Sequence, residues 1–84
     1  MEKVQLKRTR GQKMQASLDD VRIGRKIKAT SIISYKKQKD VASHLGISVQ
    51  QYQKYENGKS KITINILVNI SNYFDEDVMY FLAK

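Results

Sequence analysis

Eighty-four residues carry 16 Lys and Arg against 8 Asp and Glu, for a formal net charge of +8, and contain no Cys, Pro or Trp. That length allows one small domain without walls for a deep active site, the missing Cys excludes disulfides, zinc ribbons and thiol catalysis, and no apolar run approaches the roughly 20 residues of a membrane-spanning helix. A surplus of cations favours polyanions as partners, either nucleic acid or an anionic membrane face, and without proline nothing interrupts helix formation.

The charge is uneven. Residues 1–18 hold Lys3, Lys7, Arg8, Arg10 and Lys13 against Glu2, a balance of +4; residues 19–62 carry +6; residues 63–84 carry −2. A polyanion is therefore expected to meet the first three-quarters of the chain. Residues 1–18 have no helical or strand period and read as a flexible basic arm, with Met14 a second candidate start. A minor-groove or phosphate role and an inert tail both remain open for this arm. Its positive charge is not followed by a hydrophobic stretch, which argues against a signal peptide.

Residues 19–84 form the expected folded domain. The first helix is predicted to begin at Asp20, with Asp19 and Asp20 as cap and first-turn acids and Ile23, Ile27, Thr30 and Ile33 as its buried stripe. A second helix over 37–45 turns Val41, Ala42 and Leu45 inward and stops at Gly46, a residue suited to the left-handed end of a helix. Ser48 caps a third helix over 49–56, with Tyr52 and Tyr55 on its inner face, and Asn57-Gly58 ends it. Thr63 caps a fourth, whose apolar face is Ile64, Leu67, Val68, Ile70, Ser71 and Phe74. Asp75 and Asp77 open a short fifth helix carrying Val78 to Leu82. The fold class is all-α: a compact five-helix bundle.

The constellation that carries function spans about residues 38–57. Two short helices meet at a tight glycine turn, Ala42 is small where they cross, Ile47 plugs the corner, and Val41, Leu45 and Tyr52 close the space between them. This is the helix-turn-helix layout, in which the second helix offers its outer face to the DNA major groove. Val49, Gln50, Gln51, Gln53 and Lys54 make up that outer face. Glutamine pairs bidentately with adenine, lysine with guanine acceptors, and an apolar group touches the thymine methyl.

Gln38, Val41-Ala42, Leu45-Gly46-Ile47-Ser48, Tyr52, Tyr55-Glu56-Asn57-Gly58-Lys59-Ser60 and the later Ile64, Leu67, Ile70 and Phe74 together resemble the helix-turn-helix domain of phage Cro and lambda-type repressors, the XRE-like family of bacterial and phage regulators. The resemblance covers residues from about 23 to 82. It implies a lambda-repressor-like fold and double-stranded DNA as partner. It further implies base contact through Val49, Gln50, Gln53 and Lys54, and phosphate contact through Gln38, Gln51, Asn57, Lys59, Ser60 and Lys61. Two positions depart from the family pattern. Ser31 stands where many members have an arginine that pairs with the glutamate at position 56, leaving Lys28 or Lys59 to reach it. Lys36 stands where an apolar residue is usual, with Tyr35 as a substitute through a shifted turn.

Five apolar residues in a row cannot all face inward from one helix, so Val78, Met79, Phe81 and Leu82 are expected to form a symmetric dimer interface. His44 reads as a surface residue, and Asp75, Glu76 and Asp77 as helix-terminal acids rather than a metal site. No cofactor, metal or membrane partner is expected. One His, no Cys and no Gly-rich phosphate loop leave no inventory for an enzyme. The leading expectation is a cytoplasmic, nucleoid-associated repressor that binds a palindromic operator as a homodimer. The alternative is an antitoxin or bridging-factor-like module of the same fold, with a protein partner and weak DNA affinity; steep salt dependence separates the first from the second.

Overall fold

The computed structural model describes residues 17–83, so the expected basic arm, apart from Ser17 and Leu18, and Met14 within it lie outside the described residues. Five helices follow one another among them: α1 Leu18–Ile33, α2 Gln38–Leu45, α3 Val49–Glu56, α4 Ile64–Phe74 and α5 Val78–Leu82. None is long and apolar enough to cross a membrane.

The first helix starts two residues before the expected position, and Asp20 does different work. Ser17 is the cap: its hydroxyl accepts from the Asp20 N–H, while the Asp20 carboxylate takes the Ser17 N–H at 2.8 Å and its hydroxyl at 3.0 Å. This reciprocal capping box satisfies donors that the first helical turn leaves free. The other Asp20 oxygen accepts the Ile62 N–H at 3.0 Å, so one carboxylate joins the start of α1 to the segment entering α4. Burial raises the pKa of Asp20, but the N–H groups of Ile62 and Ser17, the Ser17 hydroxyl and nearby Lys61 outweigh it and hold the group below its ordinary 3.8.

Ile23, Ile27 and Thr30 are buried as expected, but Ile33 is 72% exposed and the inner position falls to Ser31. Ser31 donates its hydroxyl to the Lys36 carbonyl at 3.1 Å and so closes the turn between α1 and α2. Tyr35 does not substitute for an apolar residue at position 36: it adopts φ 57° in that turn and is 94% exposed. At the next corner Gly46 has φ 73° and ψ 30°, a left-handed conformation that L side chains adopt only at a cost, and its N–H reaches back to the Ala42 and Ser43 carbonyls.

Ser48, Thr63 and Asp77 cap α3, α4 and α5 through their side chains. Asp75 does not open α5; it ends α4 in a left-handed conformation, φ 56°. On α4, Leu67, Ile70 and Ser71 face the core and Phe74 is half-buried, whereas Ile64 and Val68 lie in solvent. The core draws on every helix: Ile23 and Ile27 from α1, Val41 and Ala42 from α2, Tyr52 from α3, Leu67 and Ile70 from α4, and Phe81 from α5.

Two close approaches position α3 and α5. Gly24 lies so near the end of α3 that a Cβ there would run into the Tyr55 carbonyl oxygen and come within 3.0 Å of the Glu56 one. The carbonyl end of α5 is gathered in by α1: Arg22 donates to the Leu82 and Ala83 carbonyls at 3.1 and 2.8 Å, and Lys26 to those of Tyr80 and Ala83. Cations at a helix C-terminus oppose the negative end of its dipole. Two charges of the basic +6 segment are therefore engaged inside the fold.

Candidate nucleic-acid interface

The α3 helix divides cleanly. Tyr52, Tyr55 and Glu56 are buried, Val49, Gln51 and Gln53 are half-buried, and Gln50 and Lys54 are exposed. One turn apart, Gln50 and Lys54 share a face, and among the described residues neither side chain makes a hydrogen bond. The inward pull of Tyr52, which is wholly buried, and of Tyr55 turns this pair outward.

The other glutamines are not free. Gln51 donates its Nε2 to the Ser60 hydroxyl at 3.0 Å, tying α3 to the basic loop, in which Asn57, Lys59 and Lys61 are exposed. Gln53 donates its Nε2 to Gln38 Oε1 at 2.9 Å, and Gln38 in turn donates its Nε2 to Glu56 Oε1 at 2.8 Å. Glu56 thus has Gln38 as its partner, and neither Lys28 nor Lys59 reaches it. The α2 helix is the one of the five with no side-chain cap, so the donors at its start have no such partner. The Tyr52 hydroxyl is buried without a hydrogen-bond partner; burial first, then the Glu56 carboxylate beside it, push its phenol well above the ordinary range.

The residues expected at a dimer interface separate. Phe81 is wholly buried and belongs to the core, Val78 and Leu82 are half-buried against it, and Met79 is 58% exposed. Its exposed neighbour is Tyr80, under the Lys26 ammonium at 5.4 Å from the ring centroid. His44 is exposed and rests on Tyr73, with ring centroids 4.9 Å apart. Among the described residues, no group of three or more His, Cys, Asp or Glu side chains is placed to hold a metal ion.

Sequence reasoning missed the Asp20 clamp on Ile62 and the Gln38–Glu56 bond. The Ser-x-x-Asp spacing at 17–20 signalled the local half of the first; no sequence signal marks a bond between residues 18 positions apart.

Two helices across a left-handed glycine, the second with a buried aromatic side and a polar outer face, define a helix-turn-helix protein. The chain belongs to the helix-turn-helix family of XRE type, whose model, described as Helix-turn-helix, matches residues 35–81; this is a family of non-enzymatic DNA-binding proteins.

Relatives agree. An uncharacterized HTH-type transcriptional regulator of Sinorhizobium medicae (strain WSM419) is 32% identical over 62 residues, covering 74% of this chain and 45% of the relative. An uncharacterized transcriptional regulator in the ATPase CF(0) region of Rhodospirillum rubrum is 28% identical over 64 residues, 76% of this chain and 59% of the relative. The chain thus spans about half the length of the curated relatives it matches. Among solved structures, the clp gene regulator ClgR from C. glutamicum superposes with a TM-score of 0.75 at 14% identity, over 79% of this chain and 86% of that one. The restriction-modification controller protein C.AhdI from Aeromonas hydrophila does so with a TM-score of 0.72 at 14% identity, over 77% and 98%. At such identities the likeness establishes the fold alone.

Proposed function

We propose that this chain is a sequence-specific DNA-binding transcriptional regulator, a cytoplasmic repressor that binds a palindromic operator as a dimer through the major groove. The observation that carries the reading is the outward pair on α3: Gln50 and Lys54 are exposed on one face, beside a loop carrying Lys59 and Lys61, while the opposite face of the helix is locked in the core. Relatives described as transcriptional regulators support it. Bases are read by Gln50 and Lys54 with Val49 at their edge; Gln38, Gln51, Asn57, Lys59, Ser60 and Lys61 face phosphates. In a dimer the two α3 helices enter successive major grooves about 34 Å apart, and Met79 of α5 supplies the most exposed of the expected contact residues. The exposure of Ile64, Val68, Met79 and Tyr80 favours the second reading, an antitoxin or bridging module that docks a protein.

Selection from random duplex DNA, followed by titration of the winner over a salt series, tests the proposal. A palindromic consensus with steep salt dependence is the expected result. Gln50→Ala and Lys54→Ala should each weaken that site by roughly 1–3 kcal/mol and relax preference at their own base pairs, whereas Lys59→Ala should weaken all duplexes alike and flatten the salt slope. Equal effects of all three on chosen and random DNA would refute the groove assignment. Weak binding with no consensus would transfer the proposal to the protein-docking module.

A further inference from the structure

Two acids are buried among the described residues, and they are satisfied differently. Asp20 receives donors from Ser17 and Ile62. Glu56, 4% exposed, receives the Gln38 amide, with the Tyr52 hydroxyl beside it. A carboxylate only accepts hydrogen bonds. It therefore requires Gln38 to turn its nitrogen inward and its oxygen toward Gln53, which must in turn offer its own nitrogen. Without that charged terminus, an amide pair can run in either direction with nearly equal energy. With it, the chain has one sense, and each glutamine keeps one N–H unused on a half-exposed side chain.

Resting on the DNA-binding reading above, we propose that Glu56 is a positioning residue for the DNA backbone: through Gln38 it orients Gln53 as well, so that both amides present N–H donors to a phosphate at the start of α2, and Gln53 leaves the base-reading set. The sign of its effect distinguishes this role from a purely electrostatic one. A buried negative charge repels DNA, so its removal alone should tighten binding; if Glu56 orients donors, its removal weakens it.

The test uses the whole chain with Glu56→Gln, which keeps the shape but can either donate or accept. Circular dichroism melts establish that the variant is folded, and titrations use both the selected duplex and a random one. The expected result is about a tenfold loss on both duplexes, with no further loss when Glu56→Gln is added to Gln38→Ala. Because the donors are neutral, the salt slope should be unchanged. Gln53→Ala should weaken both duplexes alike without altering base preference. Wild-type or tighter binding by Glu56→Gln would overturn the proposal, as would an equal loss with and without Gln38, or a base-specific effect of Gln53→Ala. If Glu56→Gln does not fold, the Gln38→Ala and Gln53→Ala cycle decides: coupled losses support the chain of bonds, and simple additivity overturns it. A wild-type protein that binds no duplex removes the DNA reading itself, whereas a binding wild type with a silent Glu56→Gln removes the positioning role alone.

Discussion

Replacing Gly24 by alanine sets two effects of known sign against each other. In an exposed helix interior, Gly→Ala stabilises by about 1 kcal/mol, because glycine loses more backbone freedom on folding. At Gly24 the new methyl would overlap the Tyr55 carbonyl oxygen and lie 3.0 Å from the Glu56 oxygen and 3.2 Å from its carbonyl carbon. All three are backbone atoms at the end of α3, so no side chain can swing aside, and α1 must move away from α3 as a body. Overpacking of this kind costs about 1–3 kcal/mol, and the Ile23 and Ile27 contacts with the core are loosened as well. The net is a destabilisation of up to about 2 kcal/mol, which for a domain of this size lowers the thermal midpoint by up to roughly 15 °C. Thermal unfolding followed by circular dichroism measures it directly. A raised midpoint would refute the close approach of α1 to α3.

Three further outcomes follow from the packing and the buried polar groups. Phe81→Ala empties a wholly buried site and should cost about 3–5 kcal/mol, comparable with the whole stability of a small domain, so urea titration should find α5 undocked or the chain unfolded, with Phe81→Leu much milder. Tyr52→Phe removes a buried hydroxyl that has no partner; desolvation no longer opposes folding there, and the midpoint should hold or rise by a few degrees, whereas a fall would show that the hydroxyl bonds Glu56. Asp20 has a folded pKa below its ordinary 3.8, so its stabilisation is complete above the unfolded value and disappears as pH falls through the folded one; the midpoint of the wild type should decline in acid more steeply than that of Asp20→Asn, and parallel curves would contradict the clamp.

The parts of the fold readable from sequence are those governed by neighbours in the chain. Ser48, Thr63 and Asp77 cap their helices from within one turn, and Gly46 marks a conformation few other residues tolerate. Ser17 was hidden because Asp19 and Asp20 also look like caps, and only the return bond from Asp20 to the Ser17 backbone decides among them. The exposed Ile33, Ile64 and Val68 are failures of another kind: α1 and α4 each carry more apolar residues than one stripe holds, and the row that turns inward depends on which helix packs against it. On α3, the exposure of Gln50 and Lys54 was legible from their distance to Tyr52 and Tyr55. That Gln51 and Gln53 are already bonded within the protein was not, because their partners Ser60 and Gln38 are placed by the tertiary fold.

The seam between α1 and α5 bears on the order in which the molecule assembles. Its hydrogen bonds join residues 54 to 61 positions apart, so forming it closes the chain between residues 22 and 83 into a loop, at an entropic cost that short-range contacts avoid. The glycine corner between α2 and α3 closes over only a few residues. A five-residue helix cannot persist by itself, so α5 acquires its structure only when Phe81 and the two cations of α1 receive it. It is therefore the last element to dock and the first to open, and its amides should exchange with solvent before those of α2 and α3. Gln50 and Lys54 stand on the corner side of the molecule, on α3, and not on this late-docking element.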